Sequence, residues 1–182
     1  MADFDMALSL DPGNPDVYVN RGNTQAIQGK LDLAIDDYGQ ALRRDPANAR
    51  AFLNRGLAHE RKGDLDRAIA DFSDAIKASP HGLDSFRGRG RVWAAMREFD
   101  RAIADFDVAL RSAPRDLQML KSRADALAAK GDLDRAIAGY NAALNVESDD
   151  SVVLDARALA FEKKGEIKRA FADYDEIGRA HV

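Results

Sequence analysis

The chain has 182 residues with 27 Lys plus Arg against 31 Asp plus Glu, a formal net charge of −4, and no cysteine. Disulfide frameworks, thiolate metal sites and thiol nucleophiles are excluded, and the interspersed charges argue against a dedicated nucleic-acid or membrane-surface protein. Alanine occurs 33 times, threonine once, and valine and isoleucine eight times each, so an all-α chain is expected.

From the first residues onward the sequence repeats itself at a spacing of 34. Asp-Arg-Ala-Ile-Ala stands at 66–70, 100–104 and 134–138, and prolines recur at 12, 46, 80 and 114, with Ser148 at the next place. Numbering phases from Pro15, the chain reads as a leading half-unit, 1–14, followed by units 15–48, 49–82, 83–116, 117–150 and 151–176. Residues 1–14 carry Phe4, Ala7, Leu8 and Pro12 in phase and predict the second helix of a unit. In four of the five units, a first helix of about 13 residues is predicted to end at a left-handed glycine cap. Gly29, Gly63, Gly131 and Gly165 supply that cap. A second helix begins near Asp66, Asp100 or Asp134 and stops before the next proline, as at Asp45-Pro46 and Ser79-Pro80.

Small and bulky residues keep fixed phases. Gly22, Gly56, Gly90, Ala124 and Ala158 share phase 8, and Ala34, Ala68, Ala102, Ala136 and Ala170 share phase 20. Phase 27 is Ala7, Ala41, Ala75, Ala109 and Ala143, and phase 24 is Phe4, Tyr38, Phe72, Phe106, Tyr140 and Tyr174. Rings beside small residues imply close helix contacts.

This pattern resembles the tetratricopeptide repeat, a 34-residue helix-turn-helix with small residues at phases 8, 20 and 27, an aromatic at 24 and proline at 32. The resemblance covers residues 1–176 and implies an all-α solenoid of stacked antiparallel helix pairs, a right-handed superhelix with first helices lining a concave groove. The last six residues, Ile177 to Val182, break the period. They resemble the translation of a common sequencing-adaptor sequence and are read as a non-native scar, the alternative being a degenerate final helix. The array is expected to be a piece of a longer repeat protein.

Arginine fills phase 7 in every unit, at 21, 55, 89, 123 and 157. In an antiparallel hairpin that phase lies opposite phase 23, where Asp37, Asp71, Asp105 and Asp173 stand, so inter-helix ion pairs are expected. Unit four has Gly139 there, which leaves Arg123 without that partner. The Asn-Arg-Gly version of the motif, at 20–22 and 54–56, resembles bacterial-type repeats.

By the family resemblance the groove is lined from phases 2, 5, 6, 9, 12 and 13 of the first helices. That implies a candidate peptide-binding set of Asn20, Asn23, Leu53, Asn54, Leu57, Arg87, Arg91 and Lys121, with Val19 as a further apolar contact. Asn20 and Asn54 resemble the start of an asparagine ladder that holds peptide backbone, broken at Gly88, Ser122 and Ala156. Asn23 and Asn54 also match the two asparagines of the family's carboxylate clamp, but Val19, Asp84 and Gly88 stand at its basic positions. Arg87, Arg91 and Lys121 are expected to meet acidic side chains or a carboxylate, the alternative being a solvated basic face.

His59 and Trp93 at phase 11 read as packed side chains, and His81 and His181 complete the histidines. No nucleophile elbow, phosphate loop or metal motif is present in the sequence, so neither catalysis nor a cofactor is expected. The expected function is binding of an extended or helical protein segment, acidic ones included, with no nucleic-acid or membrane partner. The alternative is a structural spacer or self-assembling segment associating weakly through exposed end repeats. Lacking an apolar leader, the sequence suggests a cytoplasmic setting.

Overall fold

The structure, a computed structural model, describes residues 2–180, so His181 and Val182 lie outside the described residues. Among these the secondary structure is eleven α-helices with no strand. The chain divides into two compact units, residues 1–92 and 93–182.

The first unit holds α1 (Ala2–Leu10), α2 (Pro15–Ile27), α3 (Leu31–Arg44), α4 (Ala49–Lys62), α5 (Leu65–Ala78) and most of α6 (Leu83–Ala95). Each repeat's two helices follow from local chemistry. Asn14 Oδ1 accepts from the Asp16 amide with Pro15 at the first helical position, and Asn48 Oδ1 accepts from the Ala51 amide. These caps satisfy amides that a helix start leaves without partners. At the other end Gly29 and Gly63 adopt φ of 77° and 81°, closing the first helices in the left-handed conformation the sequence predicts.

Packing in this unit sets rings against glycine backbone. A Cβ on Gly22 would stand 2.7 Å from the Tyr38 ring, and one on Gly56 would stand 2.9 Å from the Phe72 ring. Tyr18, Val19, Ala34, Tyr38, Ala41, Ala51 and Ala58 form one buried cluster, and Ala68, Phe72 and Val92 form another. The alanines at phases 20 and 27 in this unit, Ala34, Ala68, Ala41 and Ala75, are fully buried between the helices.

The second unit contains α7 (Phe99–Ser112), α8 (Leu117–Lys130), α9 (Leu133–Leu144), α10 (Ser151–Lys164) and α11 (Ile167–Ala180). Asp116 and Asp150 cap α8 and α10 through bonds accepted from the Met119, Val152 and Val153 amides. Gly131 and Gly165 take φ of 92° and 80°, but the third repeat has Arg97 at this phase, the one non-glycine described residue with positive φ, at 64°. Its amide bonds the Ala94 carbonyl and the Glu98 amide bonds the Trp93 carbonyl, so the cap forms despite the side chain. Helix α11 continues through Ile177–Ala180, so the period breaks in packing while the backbone stays helical, and a Cβ on Gly178 would meet nothing within 4 Å.

The expected inter-helix ion pairs of Arg21, Arg55 and Arg157 are present. Arg21, Arg55 and Arg157 each donate twice, from Nε and a terminal nitrogen, to Asp37, Asp71 and Asp173 at 2.6–2.9 Å. Those three aspartates are buried. The Asp37 hydrogen bond raises the Arg21 pKa further above its ordinary value. Arg123, facing Gly139, turns to Asp107 instead, with its Nε 2.6 Å from the carboxylate. A second ladder runs between repeats: Lys62 pairs with Asp32, Lys130 with Asp100 and Lys164 with Asp134.

Candidate functional site

In the first unit, three side chains from successive helices meet at one atom. Tyr38 Oη donates to Asn23 Oδ1 at 2.8 Å, and Asn54 Nδ2 donates to the same oxygen at 2.8 Å. Both acceptor sites of the Asn23 carbonyl are thereby used, and its amide group and the Asn54 carbonyl remain for another molecule. Burial, followed by the charge of Asp37, pushes the Tyr38 hydroxyl up to about 12, which keeps it a donor at neutral pH.

Beside this junction opens a cleft of about 680 Å³. Asn23, Ala26 and Ile27 line it from α2, Tyr38 from α3, Asn54, Leu57, Ala58, Glu60 and Arg61 from α4, and Arg91 from α6. Of the sequence-derived set it therefore gathers Asn23, Asn54, Leu57 and Arg91. Asn20 is exposed but outside the lining, and its carbonyl accepts from Thr24. Leu53 is half-buried and packs against the Ala68, Phe72 and Val92 cluster. Val19 is 0% exposed and belongs to the core, which corrects its expected place as a groove contact: on a helix packed on two sides, one position's shift in angle separates core from cleft.

The cations are already engaged within the chain. Arg91 donates from Nε and a terminal nitrogen to Glu60 at 3.1 and 2.8 Å, and Arg87 lies 3.3 Å from Asp84. Lys121 stands in the second unit, where it bonds Asp125 at 2.9 Å. Asp125 also accepts from Tyr140 Oη at 2.8 Å, so the second unit places a carboxylate where the first has the Asn23 amide. Burial, then the Asp125 charge, raises the Tyr140 pKa well above the usual tyrosine range.

A break in the asparagine ladder has a steric cause. A Cβ on Gly88 would stand 2.5 Å from the Phe72 ring, so no side chain fits that position, neither the ladder's asparagine nor the clamp's basic residue. Ala26, Ile27, Tyr38, Ala58, Glu60 and Arg61 were missed in selecting site residues. Four of them fall at phases 12 and 13, which the family pattern already assigns to the groove. His59 is buried, with Nδ1 3.5 Å from Asp64 and Nε2 3.8 Å from Asp71. Among the described residues no three His, Cys, Asp or Glu side chains cluster to hold a metal, and no helix is long and apolar enough to cross a membrane.

Paired helices in a 34-residue register, with ring-on-glycine contacts and a cleft between first helices, define an all-α repeat protein. The chain matches the tetratricopeptide repeat over residues 19–82 and 88–151, and it belongs to that family. No curated protein matches it in sequence. Among solved structures, YrrB, described as "a TPR protein with an unusual peptide-binding site", is 21% identical with a TM-score of 0.86, covering 96% of this chain and 90% of its own. A MamA structure is 20% identical with a TM-score of 0.85, covering 90% of this chain and 89% of its own. A MamA RS-1 double mutant is 16% identical with a TM-score of 0.87, covering 91% and 93%. At these identities the likeness is one of fold.

Proposed function

We propose that the chain is a non-catalytic binding module whose first unit holds a segment of a partner protein in the Asn23–Asn54 cleft. The observation that carries this reading is the shared acceptor at Asn23 Oδ1, which leaves an amide donor on Asn23 and a carbonyl acceptor on Asn54. A peptide unit presents the complementary pair, one carbonyl and one N–H. An extended segment suits these groups best, because a helical one uses its backbone groups internally. Asn20, Leu53 and Arg87 in the first unit, and separately Lys121 in the second, remain candidate contacts on their family phases, and the YrrB description supports peptide binding at the level of fold.

Acidic segments are the proposed ligands of this class. A peptide array read by fluorescence anisotropy should return acidic sequences, and Asn54→Ala should weaken them by about tenfold through loss of backbone hydrogen bonds. Indifference of every bound peptide to Asn23→Ala and Asn54→Ala would refute the site. A second reading, self-assembly, is favoured by exposed apolar pairs one helical turn apart, Met6 with Leu10 and Ile167 with Phe171. Sedimentation across a concentration series separates the two, since an unchanging monomer mass excludes assembly.

A further inference from the structure

We infer that the cleft selects a bulky apolar side chain with an adjacent carboxylate, the first seated on the alanine floor and the second held by Arg61. This rests on the proposed peptide-binding reading and adds to it the side-chain chemistry of the ligand. Beyond the asparagines, the cleft is lined by Ala26, Ala58 and Leu57, with the Tyr38 ring as a further wall. Small residues on two neighbouring first helices create the space, and about 680 Å³ is far more than a backbone alone would fill. A pocket of this size whose exposed surface is mainly apolar suits an aromatic or long aliphatic side chain. Ile27 stands at its edge 86% exposed, a large aliphatic surface that a seated ring would cover.

The charges at the cleft are unequal in what they offer. Arg91 and Glu60 neutralise each other through two hydrogen bonds. Arg61 donates from one terminal nitrogen to the Ala26 carbonyl at 2.9 Å and pairs with no carboxylate among the described residues. Its Nε and second terminal nitrogen keep their donors on an exposed residue lining the same cleft. A planar guanidinium with open donors is matched by a carboxylate from the ligand. The asparagines would fix the backbone, the alanine floor the apolar side chain, and Arg61 the acid beside it.

The test is a titration of the full chain, followed by ¹⁵N–¹H NMR, with short Gly-Ser peptides carrying Phe-Glu, Ala-Glu or Phe-Gln at their centre. Phe-Glu should bind tightest and shift the Asn23 and Asn54 side-chain amides and the Ala26 and Ala58 backbone amides. Replacing Phe with Ala should cost roughly tenfold or more, and replacing Glu with Gln about threefold to tenfold. Arg61→Gln should abolish the preference for Glu while leaving the preference for Phe, and Ile27→Ser should weaken the preference for Phe. Both side chains are exposed, and circular dichroism of each variant verifies that it folds. The inference fails if Ala-Glu binds as well as Phe-Glu, if the carboxylate preference survives Arg61→Gln, or if Arg91→Gln rather than Arg61→Gln removes it. Peptides that bind in an Asn54-dependent way but ignore both side chains sink this inference alone. Absence of binding by all the peptides sinks the underlying reading with it.

Discussion

Replacing Arg55 with alanine strands a buried carboxylate. Two charge-assisted hydrogen bonds, at 2.9 and 2.6 Å, join Arg55 to Asp71, whose side chain is 6% exposed while that of Arg55 is 26% exposed. Breaking a buried pair by removing one partner costs about 3–5 kcal/mol, because the remaining charge stays in a poorly solvated place. Two features pull the expectation to the lower end. His59 Nε2 lies 3.8 Å from Asp71, and a cleft of about 400 Å³ lined by Arg55, His59 and Asp71 admits water once the guanidinium is gone. Arg55→Ala should therefore destabilise the first unit by about 3 kcal/mol. Urea unfolding followed by circular dichroism measures this directly, and the thermal midpoint should fall by ~6–12 °C. Arg55→Met combined with Asp71→Leu should recover most of the loss, since an apolar pair of similar volume removes the stranded charge. Arg123→Ala is the contrast: Asp107 is 44% exposed, so the cost should stay below about 1 kcal/mol. A loss at Arg55 no larger than that at Arg123, or a double variant no better than Arg55→Ala, would refute the reasoning.

Three other substitutions and one titration probe the caps, the packing and the Tyr38 hydroxyl. Arg97→Gly should stabilise the chain by about 1 kcal/mol, because φ of 64° strains a side chain that glycine lacks; a lower midpoint in urea would count against it. Gly56→Ala should destabilise by about 1–3 kcal/mol despite alanine's better helix propensity, since its Cβ meets the Phe72 ring at 2.9 Å. Gly39→Ala, whose nearest neighbour is Arg55 at 3.9 Å, should instead stabilise by about 0.5–1 kcal/mol, and equal effects at both glycines would contradict the packing account. The folded Tyr38 hydroxyl sits at about 12 against roughly 10 in the unfolded chain, so its contribution to stability is full below pH ~10 and is lost as pH rises toward 12. Absorbance at the tyrosinate band should show this step reduced by Tyr38→Phe, and an unchanged titration would refute it.

The period, the hairpins, the glycine caps and the Arg–Asp pairs were all legible in the residues. Each depends on interactions within one repeat, and five copies of the same register print them repeatedly in the sequence. The asparagine caps at Asn14 and Asn48 were equally local, signalled by Asn or Asp at the last phase of four repeats. Arg97 was readable too, as the position where the cap glycine is missing from an otherwise regular phase.

The site was only half legible. Asn23, Asn54, Leu57 and Arg91 line the cleft as the family phases imply, yet neither the pairing of Arg91 with Glu60 nor the bond of Arg61 to the Ala26 carbonyl followed from those phases. Those contacts join residues about one repeat apart, and their geometry depends on how far one hairpin is rotated against the next.

The same rotation put Val19 in the core and left Asn20 exposed, and it brought Lys62 to Asp32 across the repeat boundary. First helices pack on two sides, so their apolar pattern does not mark one inner face, and small angular differences decide which side chain meets solvent. Sequence alone determined the family, the hairpin and its internal ion pairs, because short-range sterics and repetition fix them. Tertiary structure decided which charges are spent on neighbouring repeats and which remain open to a partner, because those distances exist only once the hairpins stack.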